Sequence, residues 1–125
     1  MPNCFKTWCL RIRLPTLLAA MLFPVLAQAH AILEESVPPQ GNKVKAGKLE
    51  LRLRYNSRID QGRSRLTLLR PDKGRDTITI DPGTAPDTIV AHLDLPPGAY
   101  VVRWQVLAVD GHITRGDLPI TVTAP

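Results

Sequence analysis

Apolar and charged residues take strict turns over residues 49–55: Leu49, Leu51, Leu53 and Tyr55 alternate with Glu50, Arg52 and Arg54. A period of two sends the two sets to opposite faces of an extended chain, so the stretch predicts a strand with one buried and one wet face. The rest of the chain repeats the theme in short apolar runs separated by turn formers. Residues 30–36 predict a first strand, closed by Pro38-Pro39-Gln40-Gly41-Asn42. Residues 65–70 and 77–80 predict a strand pair around Pro71-Asp72-Lys73-Gly74, with Pro and Gly where turns favour them. Residues 88–95, 100–109 and 116–123 supply three more strands, and Pro119 predicts an edge or a bulge in the last. About seven strands with regularly spaced turns predict an all-β domain, a Greek-key β-sandwich or barrel of immunoglobulin-like type. Tyr100, just after Leu95-Pro96-Pro97-Gly98-Ala99, fits either the tyrosine corner of such sandwiches or a plain core position.

The first 29 residues differ in kind. Lys6, Arg11 and Arg13 precede an apolar run over residues 14–26, and Ala27-Gln28-Ala29 follows with small side chains at alternate positions. That is the anatomy of a secretory signal peptide, and the run is short for a membrane span, which takes about 20 residues. The expected domains are therefore a cleaved leader, 1–29, and one exported β domain, 30–125. An uncleaved amino-terminal anchor is the alternative.

Processing changes the composition that matters. Cys4, Cys9, Met1 and Met21 all lie in the leader, so residues 30–125 contain no sulfur and the domain must rely on its apolar core. All 11 acidic residues and 13 of the 16 basic ones remain, a net charge of +2. Lys43, Lys45, Arg52, Arg54, Arg63 and Arg65 are interspersed with acids, which gives no nucleic-acid footprint.

A cut after Ala29 leaves His30 with a free α-amine beside its imidazole, two nitrogens that can close a chelate ring on one ion. The other compact polar group is Asp110-Gly111-His112, where Gly111 permits a sharp reversal between a carboxylate and an imidazole. Together, His30, Asp110 and His112 offer three nitrogens and one oxygen. Such a tetragonal set suits Cu(II) or Ni(II), and the usual affinity order places Cu(II) above Zn(II). Cu(I) prefers thiolate or thioether, and the processed chain has neither. An α-amine and an imidazole titrate near about 7.7–8.0 and 6.5 in model peptides, so binding must displace protons and weaken in acid. Glu34 and Glu35 are close enough in sequence to His30 to serve as outer acceptors, although solvent-facing positions are the plainer expectation. As neighbours on a strand they should point to opposite faces. His92, alone on a strand, is left outside the site. No Gly-x-Ser-x-Gly elbow and no Gly-rich phosphate loop is present, so no hydrolase or nucleotide site is expected.

Three ordered segments carry a family resemblance. They are the start His30-Ala31-Ile32-Leu33-Glu34-Glu35-Ser36-Val37-Pro38-Pro39-Gln40-Gly41, the middle Leu95-Pro96-Pro97-Gly98-Ala99-Tyr100-Val101-Val102-Arg103-Trp104, and Val109-Asp110-Gly111-His112 followed by Gly116. The set resembles the CopC family of periplasmic copper-binding proteins over nearly all of residues 30–125. The resemblance implies an immunoglobulin-like or cupredoxin-like β-barrel. It also implies one Cu(II) per chain, held by the mature amino-terminal histidine and an Asp-Gly-His motif matching Asp110 and His112. A role in copper resistance or uptake follows, with a multi-pass inner-membrane partner, CopD; the domain itself is expected to be a soluble monomer rather than an enzyme. Some members add a methionine-rich cuprous site, which this chain lacks. Ile113 stands where proline is common, and Leu118 and Ile120 where aromatics are common. Two other function classes remain open: a small copper oxidase or monooxygenase with a histidine brace, and a metal-free immunoglobulin-like interaction module.

Overall fold

The computed structural model describes residues 30–125; the leader and its cleavage site lie outside the described residues. Eight strands, and no helix among the described residues, run β1 (Leu33–Val37), β2 (Lys43–Lys45), β3 (Gly47–Tyr55), β4 (Ile59–Leu69), β5 (Arg75–Ile78), β6 (Thr88–Leu95), β7 (Gly98–Ala108) and β8 (Ile113–Thr123). They form a three-stranded sheet, β1-β3-β6, and a five-stranded sheet, β2-β8-β7-β4-β5. The expected all-β sandwich is what the chain forms, with one strand more than the sequence predicted. That strand is β2, three residues whose charged Lys43 and Lys45 flank a single half-buried Val44. It has too little apolar content to announce itself, and it exists because it lies parallel against the end of β8.

Alternation explains the core. In β3, Leu51, Leu53 and Tyr55 are buried while Glu50, Arg52 and Arg54 are exposed. β7 buries Tyr100, Val102, Trp104, Val106 and Ala108, and β8 buries Leu118, Ile120 and Val122. These inward faces meet Leu66 and Leu68 of β4 and Ile89 and Ala91 of β6 in one continuous cluster. Burying a Leu or Ile side chain stabilises by about 1.5–3 kcal/mol, which is how a domain without sulfur holds together.

Tyr100 settles between its two readings: its ring is buried and its hydroxyl donates to the Pro96 carbonyl, 2.8 Å away, as a tyrosine corner requires. Pro119 is tolerated because β2 reaches β8 only at Thr121, Val122 and Thr123, leaving Pro119 without a neighbour on that side. Glu34 and Glu35 correct an expectation. The register shifts between Leu33 and Glu35, so the two neighbours do not point to opposite faces, and both accept from Arg54.

Gly116 lies opposite Trp104 in the β7–β8 ladder, and any Cβ there would overlap the Trp104 indole, which is itself buried. Gly116→Val should cost about 1–3 kcal/mol by overpacking. Urea unfolding followed through Trp104, the one tryptophan among the described residues, measures it.

Across the same ladder Arg103 donates twice to Asp117, at 2.8 and 3.1 Å, and this holds the Asp117 carboxyl below the usual carboxylate range. A carboxyl depressed in the folded state contributes stability above its unfolded pKa of about 3.9, and loses it as the pH falls through the folded value. Asp117→Asn should therefore flatten the acid limb of a stability–pH curve below about pH 4. Parallel curves for the two proteins would contradict this.

Candidate metal centre

β7 and β8 form the longest ladder in the molecule, paired from Gly98 with Val122 to Leu107 with Ile113, and Asp110-Gly111-His112 sits at its tip. The reversal is closed by Gly111 N–H donating to Ala108 O at 2.9 Å and Ala108 N–H to His112 O at 2.8 Å. Gly111 adopts φ +91°, a conformation that side chains with a Cβ resist. Asp110 then folds over the turn: Oδ1 accepts the His112 backbone N–H at 3.1 Å and Oδ2 stands 2.8 Å from His112 Nδ1. The His112 amide, then its ring, holds the Asp110 carboxyl below the usual range, so it is an anion in neutral water.

The segment leading into β1 arrives at the same place. Ala31 is fully buried in the core, Ile32 is tied to Asn56, and His30 emerges at the surface. The His30 ring lies edge to face against that of His112, with centroids 4.9 Å apart and an interplanar angle of 77°. Two imidazoles bound side by side on one ion at about 2 Å per bond bring their centroids to about 4.5 Å. Likewise, 2.8 Å between Asp110 Oδ2 and His112 Nδ1 is close to the spacing of adjacent donors at such bond lengths. The three side chains thus lie at one end of the sandwich, His30 against His112 and Asp110 against His112. As they stand, no three His, Cys, Asp or Glu side chains among the described residues are already arranged around an ion position.

The remaining sequence candidates lie elsewhere. Glu34 and Glu35 are engaged by Arg54, at 2.9 and 3.1 Å, rather than by His30. His92, on the outer face of β6, has Asp81 at 2.6 Å from Nδ1 and Glu50 at 3.7 Å from Nε2. Four buried side-chain atoms are without a hydrogen-bonding partner among the described residues: Tyr55 Oη, Ser57 Oγ, Trp104 Nε1 and Thr114 Oγ1. Tyr55 and Trp104 stack edge to face at 5.4 Å, and burial pushes the Tyr55 hydroxyl well above its ordinary pKa. Single-residue reasoning could not find this group, because each member looks like a core or turn residue until the two sheets close. Three of the large hydrophobics left exposed, Ile32, Val109 and Ile113, are sequence neighbours of the site residues.

Residues 33–123 match the CopC domain family. The chain belongs to that family. CopC of Methylosinus trichosporium OB3b superposes with a TM-score of 0.66 at 26% identity, covering 76% of this chain and 95% of that one. PcoC of Escherichia coli, a methionine-rich copper resistance protein, superposes at 0.59 with 25% identity, covering 75% of this chain and 99% of that one. Protein YobA of Escherichia coli K12 is 28% identical over 119 residues, 90% of this chain and 94% of YobA. The copper transport protein CutJ of Bacillus subtilis is 22% identical over 111 residues, which is 85% of this chain but 20% of CutJ. A CopC domain thus occurs alone and as a fraction of a longer chain. No helix among the described residues of this CopC protein is long and apolar enough to cross a membrane.

The hairpin tip supplies a test of its own. A Cβ at Gly111 meets no atom within 4 Å, so its penalty is purely that of the backbone. Gly111→Ala should destabilise by about 1 kcal/mol and Gly111→Asn by less, since Asn tolerates this conformation better. Equilibrium unfolding of the two variants gives the ranking.

Proposed function

We propose that the protein is exported, processed after Ala29, and binds one Cu(II) per chain as a periplasmic carrier or sequestering protein in copper resistance or homeostasis. The ligands in this reading are the α-amine and imidazole of His30, with Asp110 and His112 completing three nitrogens and one oxygen. The observation that supports it most is the meeting of the two histidine rings at 4.9 Å, from residues 82 positions apart in the chain, beside a carboxylate already oriented on one of them. Membership of the CopC family and the copper names of PcoC and CutJ point the same way.

Chemistry selects the oxidation state. The donors are nitrogen and anionic oxygen, which favour Cu(II), and residues 30–125 offer no sulfur for Cu(I). An anionic oxygen ligand also opposes reduction, so the same set argues for holding copper rather than activating oxygen with it. Ile32, Val109 and Ile113 give the rim the exposed apolar character of a contact face. That suits exchange of copper with an inner-membrane partner of the CopD kind.

The processed protein should bind one equivalent of Cu(II) with a tetragonal, nitrogen-rich electron paramagnetic resonance spectrum. One extra residue before His30 replaces the amine by an amide, and His112→Ala removes an imidazole. Each should weaken binding about 100-fold or more, beyond what loss of an outer-sphere partner does. Isothermal titration against a competing chelator reads the loss, and undiminished affinity in the extended protein would defeat the proposal.

A further inference from the structure

A chelate that begins at a chain terminus needs the terminus held still, because a frayed end spends most of its time away from the other donors. The segment 56–58, leaving β3, touches both halves of the metal centre. On one side Asn56 grips Ile32 twice: Ile32 N–H donates to Asn56 Oδ1 at 2.8 Å, and Asn56 N–H donates to Ile32 O at 3.0 Å. The second bond continues the β1–β3 ladder one step past the Leu33–Tyr55 pair; in the first, a side-chain carbonyl accepts the N–H that a ladder would give to backbone. On the other side the Arg58 carbonyl accepts Val109 N–H at 3.3 Å, immediately before Asp110. The segment is itself fixed at both flanks, Tyr55 N–H donating to Asp87 O at 2.8 Å and Ile59 N–H to Pro86 O at 2.9 Å.

We infer that residues 56–58 are the strut that sets the spacing between His30 and the Asp110-Gly111-His112 hairpin, and that the Asn56 carboxamide is a positioning residue for copper binding. The copper part of this inference rests on the ligand set proposed above. Asn56 touches no proposed donor; it acts through Ile32, two residues from the chelating histidine. Only an acceptor at the δ position is required, so aspartate should replace asparagine and alanine should not.

The test uses the processed protein, Asn56→Ala, Asn56→Asp, and each combined with one extra residue before His30. Asn56→Ala should bind Cu(II) roughly tenfold more weakly, through loss of preorganisation, with a melting temperature close to the parent's. Asn56→Asp should restore most of the affinity. In the extended background, where the amine chelate is already lost, Asn56→Ala should make little further difference, a non-additivity that general destabilisation does not produce. Without metal, the Ile32 amide should exchange its hydrogen about tenfold faster in Asn56→Ala. Parental affinity together with unchanged Ile32 protection in Asn56→Ala would overturn the inference, as would equal losses in the parent and extended backgrounds. Failure of the unsubstituted protein to bind copper would overturn the metal reading instead, and the exchange measurement would still decide whether Asn56 clamps the chain end.

Discussion

β3 is the element on which the other parts depend. Its inward face, Leu51, Leu53 and Tyr55, is fully or nearly fully buried in the core between the two sheets. Its outward Arg54 holds the bulged β1 through Glu34 and Glu35. Its exit, Asn56, holds Ile32, in the segment that leads into β1. One alternating stretch therefore fixes the sandwich, the seat of the amino-terminal segment and the place where that segment stops. Because successive side chains on a strand point oppositely, a slip of one residue in β3 would expose the leucines and reverse all three attachments together. Register here is specified by the core, and the surface contacts inherit it.

The topology then brings distant residues together. Among the described strands only β4–β5 and β7–β8 are consecutive neighbours in one sheet, and every other consecutive pair crosses between sheets. The β7–β8 hairpin is backed by β4 up to Ala108, which lies opposite Ile59, and its tip stands at one end of the sandwich. β1 begins at that same end because it runs antiparallel to β3, with Leu33 opposite Tyr55. The two histidines meet as a consequence of these two facts, and neither needs a long flexible loop to reach the other.

How much of this the sequence discloses depends on range. Alternation shows the core strand at residues 49–55, where burial on one face is written into every second residue, and a long apolar run shows the one at residues 100–109. Composition shows the Asp-Gly reversal, which is local, but leaves Tyr100 open until its hydroxyl is seen to donate to Pro96 O. β2 escapes notice because parallel pairing with β8, not its own composition, makes it a strand. The bulge that sets Glu34 and Glu35 on Arg54 escapes because a bulge is a property of two strands in register. Asn56 looks like an ordinary turn residue; its role appears only when Ile32, 24 residues earlier, lies beside it. The histidines could be paired on chemical grounds, but nothing in the spacing of His30 and His112 gives the distance between them.

The site's position also bears on what it can do. His112 keeps 59% of its side chain exposed, and Asp110 keeps 26%. An ion held there by exposed donors retains access to water and to a partner's ligands, which favours exchange by ligand substitution over enclosure. In the copper reading proposed above, exposed side chains at the tip of a paired hairpin suit a cation that is handed on rather than enclosed.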